Sequence, residues 1–227
     1  MSYRGAKAVS QGFNSGTMSS TTGSQITDID RLVSEIAALA DRGGMAAVAI
    51  AGPPGSGKST IAANLRVRIG ACCCVVPMDG FHLDNDTLAA RGLLSVKGAP
   101  DTFDLAGFTR LVDDLKSGAV RHFPTFDRDA DSVVERGGVV PDEASMLLFE
   151  GNYLLFDEDG WADLAGRWDA SLWLEVPEDV LEDRLTRRWI DQGMSKQDAL
   201  ARAQMNDLAN ARRVIQKALP ATWVVAN

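Results

Sequence analysis

Eight consecutive residues, Gly52-Pro53-Pro54-Gly55-Ser56-Gly57-Lys58-Ser59, carry the clearest chemical pattern in the chain. They match the spacing G-x-x-x-x-G-K-[ST] at every fixed position. Gly52, Gly55 and Gly57 permit the backbone geometry that turns several N–H groups toward one anion. A helix opening at this turn would add its unpaired N–H groups and the positive end of its dipole. Lys58 is then placed to reach the β- and γ-phosphates of a nucleoside triphosphate, and Ser59 to offer its hydroxyl to Mg²⁺. Ser56 and Thr60 complete the expected nucleotide-binding set.

Two acidic residues follow apolar runs, where a parallel sheet collects its ligands. Asp79 lies in Pro77-Met78-Asp79-Gly80-Phe81-His82, and Glu150 directly follows Met146-Leu147-Leu148-Phe149. Glu150 reads as a metal-linked acid holding Mg²⁺ directly or through water, and Asp79 as the base that orients and deprotonates an attacking hydroxyl. The bland alternatives are a solvated turn residue and an ordinary Asp-Gly turn. His82 reads either as a substrate contact or as a hydrogen-bonded structural histidine. Arg184, Arg187 and Arg188 fall at i, i+3 and i+4 beside a Leu181, Leu185 and Trp189 stripe. By themselves they fit a solvated basic face balanced by Glu182 and Asp183. Next to a phosphate loop they fit an arginine lid, with Asp191-Gln192-Gly193 as its hinge.

The elements that must position these groups alternate. Thr27 with Asp30 resembles a helix cap ahead of an amphipathic run ending at Gly43 and Gly44. Strands are expected at residues 46–51, 71–76, 145–149, 170–176 and 222–226, and helices at 59–69, 103–116, 177–192 and 195–219. Nearly continuous apolar strands separated by helices predict an α/β, mostly parallel sheet covered by helices on both faces. Residues 1–25, rich in Ser, Gly, Thr and Gln, read as a flexible tail, and residues 26–227 as a single domain.

Hydrophobic residues make up 45% and charged residues 24% of the 227, and the net charge is −8. Such a balance argues against a broad basic surface for nucleic acid or anionic membrane, so phosphate must be held by a local positive site. No apolar run reaches the roughly 18 residues that span a bilayer, and no secretory layout follows Arg4 and Lys7. The adjacent Cys72, Cys73 and Cys74 fit small buried strand residues better than a disulfide framework. A cytoplasmic, reducing compartment is expected, and a homodimer stays open.

The phosphate loop, residues 77–85, Lys97-Gly98-Ala99-Pro100-Asp101-Thr102-Phe103-Asp104, Phe149-Glu150-Gly151-Asn152-Tyr153 and the Arg187-Arg188 pair stand in one order. Over residues 27–226 this resembles the phosphoribulokinase, uridine kinase and pantothenate kinase family, and within it bacterial fructose-transport-system kinases. The resemblance implies a P-loop NTPase fold with an arginine-bearing helical lid, ATP with Mg²⁺ as cofactor, and transfer to a small hydroxyl-bearing metabolite. It matches Asp79 to the catalytic aspartate, Glu150 to the metal-linked acid, and Arg187 or Arg188 to a lid arginine. Substrate contacts are implied around Phe81, His82, Lys97, Phe103, Asp127, Arg128 and Tyr153. Asn206, Asp207 and Asn210 resemble a pattern near the base-binding end.

The stretch between the second strand and Glu150 departs from the nucleoside kinases where a nucleobase or pantoyl group would be read. A sugar or polyol acceptor therefore leads, with uridine or pantothenate kinase-like activity and a regulator without transfer as alternatives. Lys97, Arg91 and Arg128 could hold an anionic or hydroxyl-rich acceptor, or equally be surface residues. Guanine-binding Asn-Lys-x-Asp and transporter-type Leu-Ser-Gly-Gly signatures are missing, which argues against a GTPase switch or motor ATPase.

Overall fold

Strands β1 (Ser24–Gln25), β2 (Ala46–Ala51), β3 (Cys73–Pro77), β6 (Met146–Gly151), β7 (Ala170–Glu175) and β8 (Trp223–Ala226) form one sheet in the order β1-β8-β7-β2-β6-β3. All five pairings are parallel. β4 (His122–Asp127) and β5 (Ser132–Val139) form a separate antiparallel hairpin. The helices are α1 (Ile29–Ala37), α2 (Lys58–Ile69), α3 (Asn85–Ala90), α4 (Leu105–Ser117), α5 (Glu178–Asp191), α6 (Lys196–Arg202) and α7 (Leu208–Gln216). The computed structural model describes residues 21–158 and 160–227.

Alternation along the central strands splits the interior into two layers. Ala47, Ala49, Leu147 and Phe149 meet α4 through Phe108, Val112 and Leu115. Val48, Ile50, Met146 and Leu148 point the other way, onto Leu32 and Ile36 of α1 and Ala62 and Leu65 of α2. Cys74 belongs to the first layer and Cys73 to the second. Burial pushes the Cys73 thiol up to about 12, so it packs as a small apolar group. A third cluster of Val176, Leu181, Leu185, Ala203, Leu208 and Ala211 clamps α5 to α6 and α7.

Several expected boundaries shift for local reasons. Asp28, not Thr27, caps α1, accepting from Asp30 N at 2.9 Å. Asp104 caps α4 through Gly107 N, so that helix begins at Leu105 rather than Phe103. The single helix expected over residues 195–219 is instead α6, a π-helical turn at Ala203–Asp207, and α7. Residues 1–20, most of the expected tail, lie outside the described residues. Thr21 is buried, and Ser24–Gln25 pairs with β8, so the fold begins before residue 26. Among the described residues, no helix is long and apolar enough to cross a membrane.

The hairpin was not expected. Pro124 sits where the β4–β5 register shifts, as befits a residue without a ladder N–H. The hairpin closes on the turn after β3: a Cβ at Gly80 would lie 2.2 Å from the Pro124 carbonyl oxygen. Gly80→Ala must therefore push the hairpin away from Asp79, and is expected to cost about 1–3 kcal/mol. Gly166→Ala, where a Cβ meets nothing within 4 Å, should stay within about 0.5 kcal/mol. Thermal denaturation of the two variants tests the contact, and equal melting temperatures would refute it.

Candidate active site

β2, β6 and β3 lie side by side and end in register, with Ile50, Glu150 and Pro77 aligned across them. Beyond these ends stand the phosphate loop, Glu150 and Asp79. Neighbouring strands are about 4.8 Å apart, so loop and Asp79 are separated by about two strand spacings with Glu150 between them.

Residues 52–59 form the expected loop, and α2 begins at Lys58. Gly55 and Gly57 have φ of 79° and 88°, the left-handed region that a side chain disfavours. Lys58 is buried and donates to Pro53 O at 2.9 Å and Ser56 Oγ at 3.4 Å. Loss of hydration lowers its pKa from 10.5 to about 8, against the pull of Glu150 and Asp79. Ser59 Oγ donates to Glu150 Oε1 at 3.1 Å. Burial, with the nearby Asp79 charge, raises the pKa of Glu150. Thr60 is exposed on the first turn of α2. Asn227, which no motif marked, donates from Nδ2 to Ser56 O at 2.6 Å and braces the loop from outside.

The three arginines separate. Arg184 donates to Gly55 O at 3.3 Å. Arg188 pairs with Asp207 at 3.0 Å and its charge is felt at Lys58. Arg187 remains on the solvent side of α5, paired with Asp183. Asp207 is buried and also accepts from Trp189 Nε1 at 2.6 Å, so it fixes both Arg188 and the neighbouring indole. Asn206 donates to Lys97 O at 3.2 Å, and Asn210 to Asn206 at 3.3 Å. These polar residues thus join α5 to the loop that carries Lys97. A cavity of about 700 Å³ next to the phosphate loop is lined instead by Pro53, Trp173, Val176, Pro177, Ile215 and Asn227.

Beyond β3, Arg128 Nη2 donates to Asp79 Oδ2 at 2.7 Å, bringing two expected site residues together. The His82 Nδ1 lies 2.8 Å from Asp79 O, and its ring stacks between Phe103 (4.1 Å) and Phe126 (4.7 Å). Burial lowers the His82 pKa, which keeps the ring neutral at pH 7. Lys97 bonds Asn85 and Asp131, each at 2.8 Å, and lies over the Phe126 ring. Phe81 packs edge-on against Phe108 at the cleft margin.

Phe103 and Tyr153 lie in the core beneath the cleft rather than on its surface. The Tyr153 hydroxyl donates to Gly98 O at 2.5 Å, tying down the loop that carries Lys97. Asp127 faces away and accepts from Asp129 N and Ala130 N, forming the hairpin turn. None of these three residues lines the cavity between the hairpin and the turn after β3.

A glycine cradle between a buried strand and a helix, within a parallel sheet, defines a P-loop NTPase fold. No family model matches the chain. It is 35% identical to the uncharacterized protein YggC of Escherichia coli over 184 residues, 78% of this chain and 76% of that one. It is also 35% identical over 180 residues to a "putative uridine kinase" of Schizosaccharomyces pombe, covering 72% of this chain and 75% of the relative. The crystal structure of a "putative fructose transport system kinase" from Silicibacter sp. TM1040 superposes with a TM-score of 0.78 at 48% identity, over 83% of this chain and 98% of the other. The chain belongs to the P-loop kinase family of uridine kinase-like proteins.

The buried Lys58 predicts a pH signature. Between about pH 8 and 10.5 the folded lysine has lost its proton while the unfolded one keeps it, so stability rises with pH across that window. Below pH 8 both forms are protonated and the full burial cost remains. Lys58→Met should therefore be more stable than wild type near pH 7, by up to roughly 3 kcal/mol, and the gain should fade toward pH 10.5. Urea unfolding at pH 7, 8.5 and 10 checks this; a gain independent of pH would contradict it.

Proposed function

We infer that the chain transfers the γ-phosphoryl group of ATP to a hydroxyl of a small metabolite, with a sugar or sugar-like polyol as the favoured acceptor. The observation that carries this reading is the alignment of three chemistry-bearing strand ends: a phosphate cradle, a buried glutamate bonded to the cradle serine, and an aspartate beside a separate cleft. A phosphate cradle alone fits many reactions. A carboxylate beyond the cradle, with an acceptor cleft behind it, fits phosphoryl transfer to a second molecule.

In this reading the base and ribose of ATP enter the cavity beside Pro53 and Pro177, and the phosphates lie along residues 52–59. Ser59 and Glu150 would hold Mg²⁺, which supplies charge neutralisation at the β- and γ-phosphates. Their oxygens suit this hard cation, and a site of few protein ligands is ordinary for Mg²⁺ bound with phosphates. Among the described residues no cluster of three or more His, Cys, Asp or Glu forms a self-contained metal cage.

Asp79 orients the acceptor hydroxyl and takes its proton as the oxygen bonds to Pγ and the bond from Pγ to the bridging β-oxygen breaks. Lys58, Arg184 and Arg188 offset charge on the transferring group, and their hydrogen bonds to the protein hold them beside the loop until phosphate oxygens take them over. Arg128 must leave Asp79, or tilt on it, when an acceptor arrives. Arg187 holds only an outer position and contributes through closure of α5.

ADP release with Mg²⁺-ATP across sugars, polyols, uridine, pantothenate and glycerate is the direct test. Acceptor-dependent release is expected, and acceptor-independent hydrolysis or none would reject the reading. Asp79→Asn should keep ATP affinity while turnover falls by about a hundredfold or more. Unchanged turnover would remove Asp79 from the role of base. Glu150→Gln should raise the Mg²⁺ concentration needed for half-maximal rate by about tenfold or more; an unaltered Mg²⁺ curve would remove Glu150 from the metal site.

A further inference from the structure

The cleft behind Asp79 has a charge pattern that narrows its acceptor. A cavity of about 650 Å³ lies between the β4–β5 hairpin, the turn after β3 and the start of α3. Its wall carries Asp84, Asp86, Asp104, Asp131 and Glu135, and Asp79 directly precedes lining residue Gly80. Among the described residues two cations reach this region, and both are already matched: Lys97 by Asp131 at 2.8 Å and Arg128 by Asp79 at 2.7 Å. His82 adds no charge at neutral pH because burial lowers its pKa.

We propose that the acceptor is a neutral, hydroxyl-rich molecule, and that the cleft discriminates against phosphorylated and carboxylate acceptors. This rests on the kinase reading above. An anionic acceptor would have to enter past uncompensated carboxylates or strip Lys97 from Asp131, and like-charge juxtaposition of this kind is an effective rejection device. Hydroxyl groups suit the same wall. A carboxylate accepts hydrogen bonds only, and a hydroxyl is the neutral donor that a polyol offers in number.

Donors within the protein leave part of this capacity free. Thr87 takes both oxygens of Asp84, but Asp104 accepts from Gly107 N through Oδ1 only, and the carboxylates of Asp86 and Glu135 take part in no hydrogen bond among the described residues. Phe81, His82 and Phe126 line the same cavity and give an apolar face for the C–H side of a sugar-like ring. The pattern of a few polar groups set against flat apolar surface matches a small uncharged polyol.

The test measures kcat/KM for ADP release with matched acceptor pairs: ribose and ribose 5-phosphate, glucose and glucose 6-phosphate, glycerol and glycerate, each at low and at moderate salt. In every active pair the neutral member should lead by about tenfold or more, with the gap widening at low salt as screening weakens. Asp131→Asn, at an exposed turn position, should leave Lys97 without its ionic partner and shrink that gap by about tenfold. An anionic member that equals or exceeds its neutral counterpart overturns the inference while leaving the kinase reading intact. A gap that Asp131→Asn leaves unchanged overturns the role assigned to the wall. No release with any member, although ATP binds, overturns the kinase reading and the inference with it.

Discussion

A lysine ammonium held out of water is the constraint around which this molecule is arranged. Lys58 is buried by the loop it belongs to, and its hydrogen bonds to Pro53 O and Ser56 Oγ replace only part of its hydration. Keeping a charge there requires a rigid shell. The left-handed glycines bend the loop around it, and α2 is anchored through Ala62 and Leu65. Asn227 closes the loop from outside, and Glu150 supplies a compensating carboxylate from the next strand. Such a site is under-satisfied without its anion. The stability lost to desolvation becomes affinity and orientation when phosphate oxygens arrive.

The region around Asp79 is built on a different principle, with direct ion pairs near the surface in place of a buried charge. Arg128 on Asp79 and Lys97 on Asp131 keep each cation neutralised until something displaces it. Both pairs are partly exposed and therefore weak individually, so they exchange partners at little cost. What fixes their positions is the packing beneath them. Gly80 admits the Pro124 carbonyl, and the His82 ring is held between Phe103 and Phe126. Tyr153 holds the Gly98 carbonyl from below. A stiff aromatic floor thus carries a switchable polar surface.

How much of this was legible in the sequence depends on how local each signal is. The phosphate loop is read from eight adjacent residues, and the central strands from runs such as Ala46–Ala51 with no polar face. Both leave little room for tertiary context to alter them. The β4–β5 hairpin left no such mark. Its strands are largely exposed and interrupted by Pro124, and Gly137 and Gly138 are explained only by the Thr125 and Phe123 side chains opposite. The roles of Phe103 and Tyr153 were placed one layer too high, since spacing locates a residue near a site without saying which way its ring points. The three arginines of α5 share a face by spacing, yet Asp207 draws in Arg188 while Asp183 keeps Arg187 outside.

The π-helical turn at Ala203–Asp207 explains why that last distinction exists. One extra residue in a helical turn rotates the following side chains relative to a regular helix, and such turns recur at functional sites. Here it puts two neighbours to opposite uses. Asp207 is buried against Arg188 and Trp189 on the lid, while Asn206 reaches the carbonyl of Lys97 on the acceptor loop. A regular helix already separates adjacent side chains by about 100°, and the inserted residue shifts where this pair stands relative to α6. The lid that carries Arg188 and the loop that carries Lys97 are consequently tied to one short segment. A displacement of α5 would either be transmitted to that loop or break one of the Asp207 and Asn206 contacts. The Asn206 contact is a single hydrogen bond at 3.2 Å, so it couples the two segments only weakly, by about 1 kcal/mol.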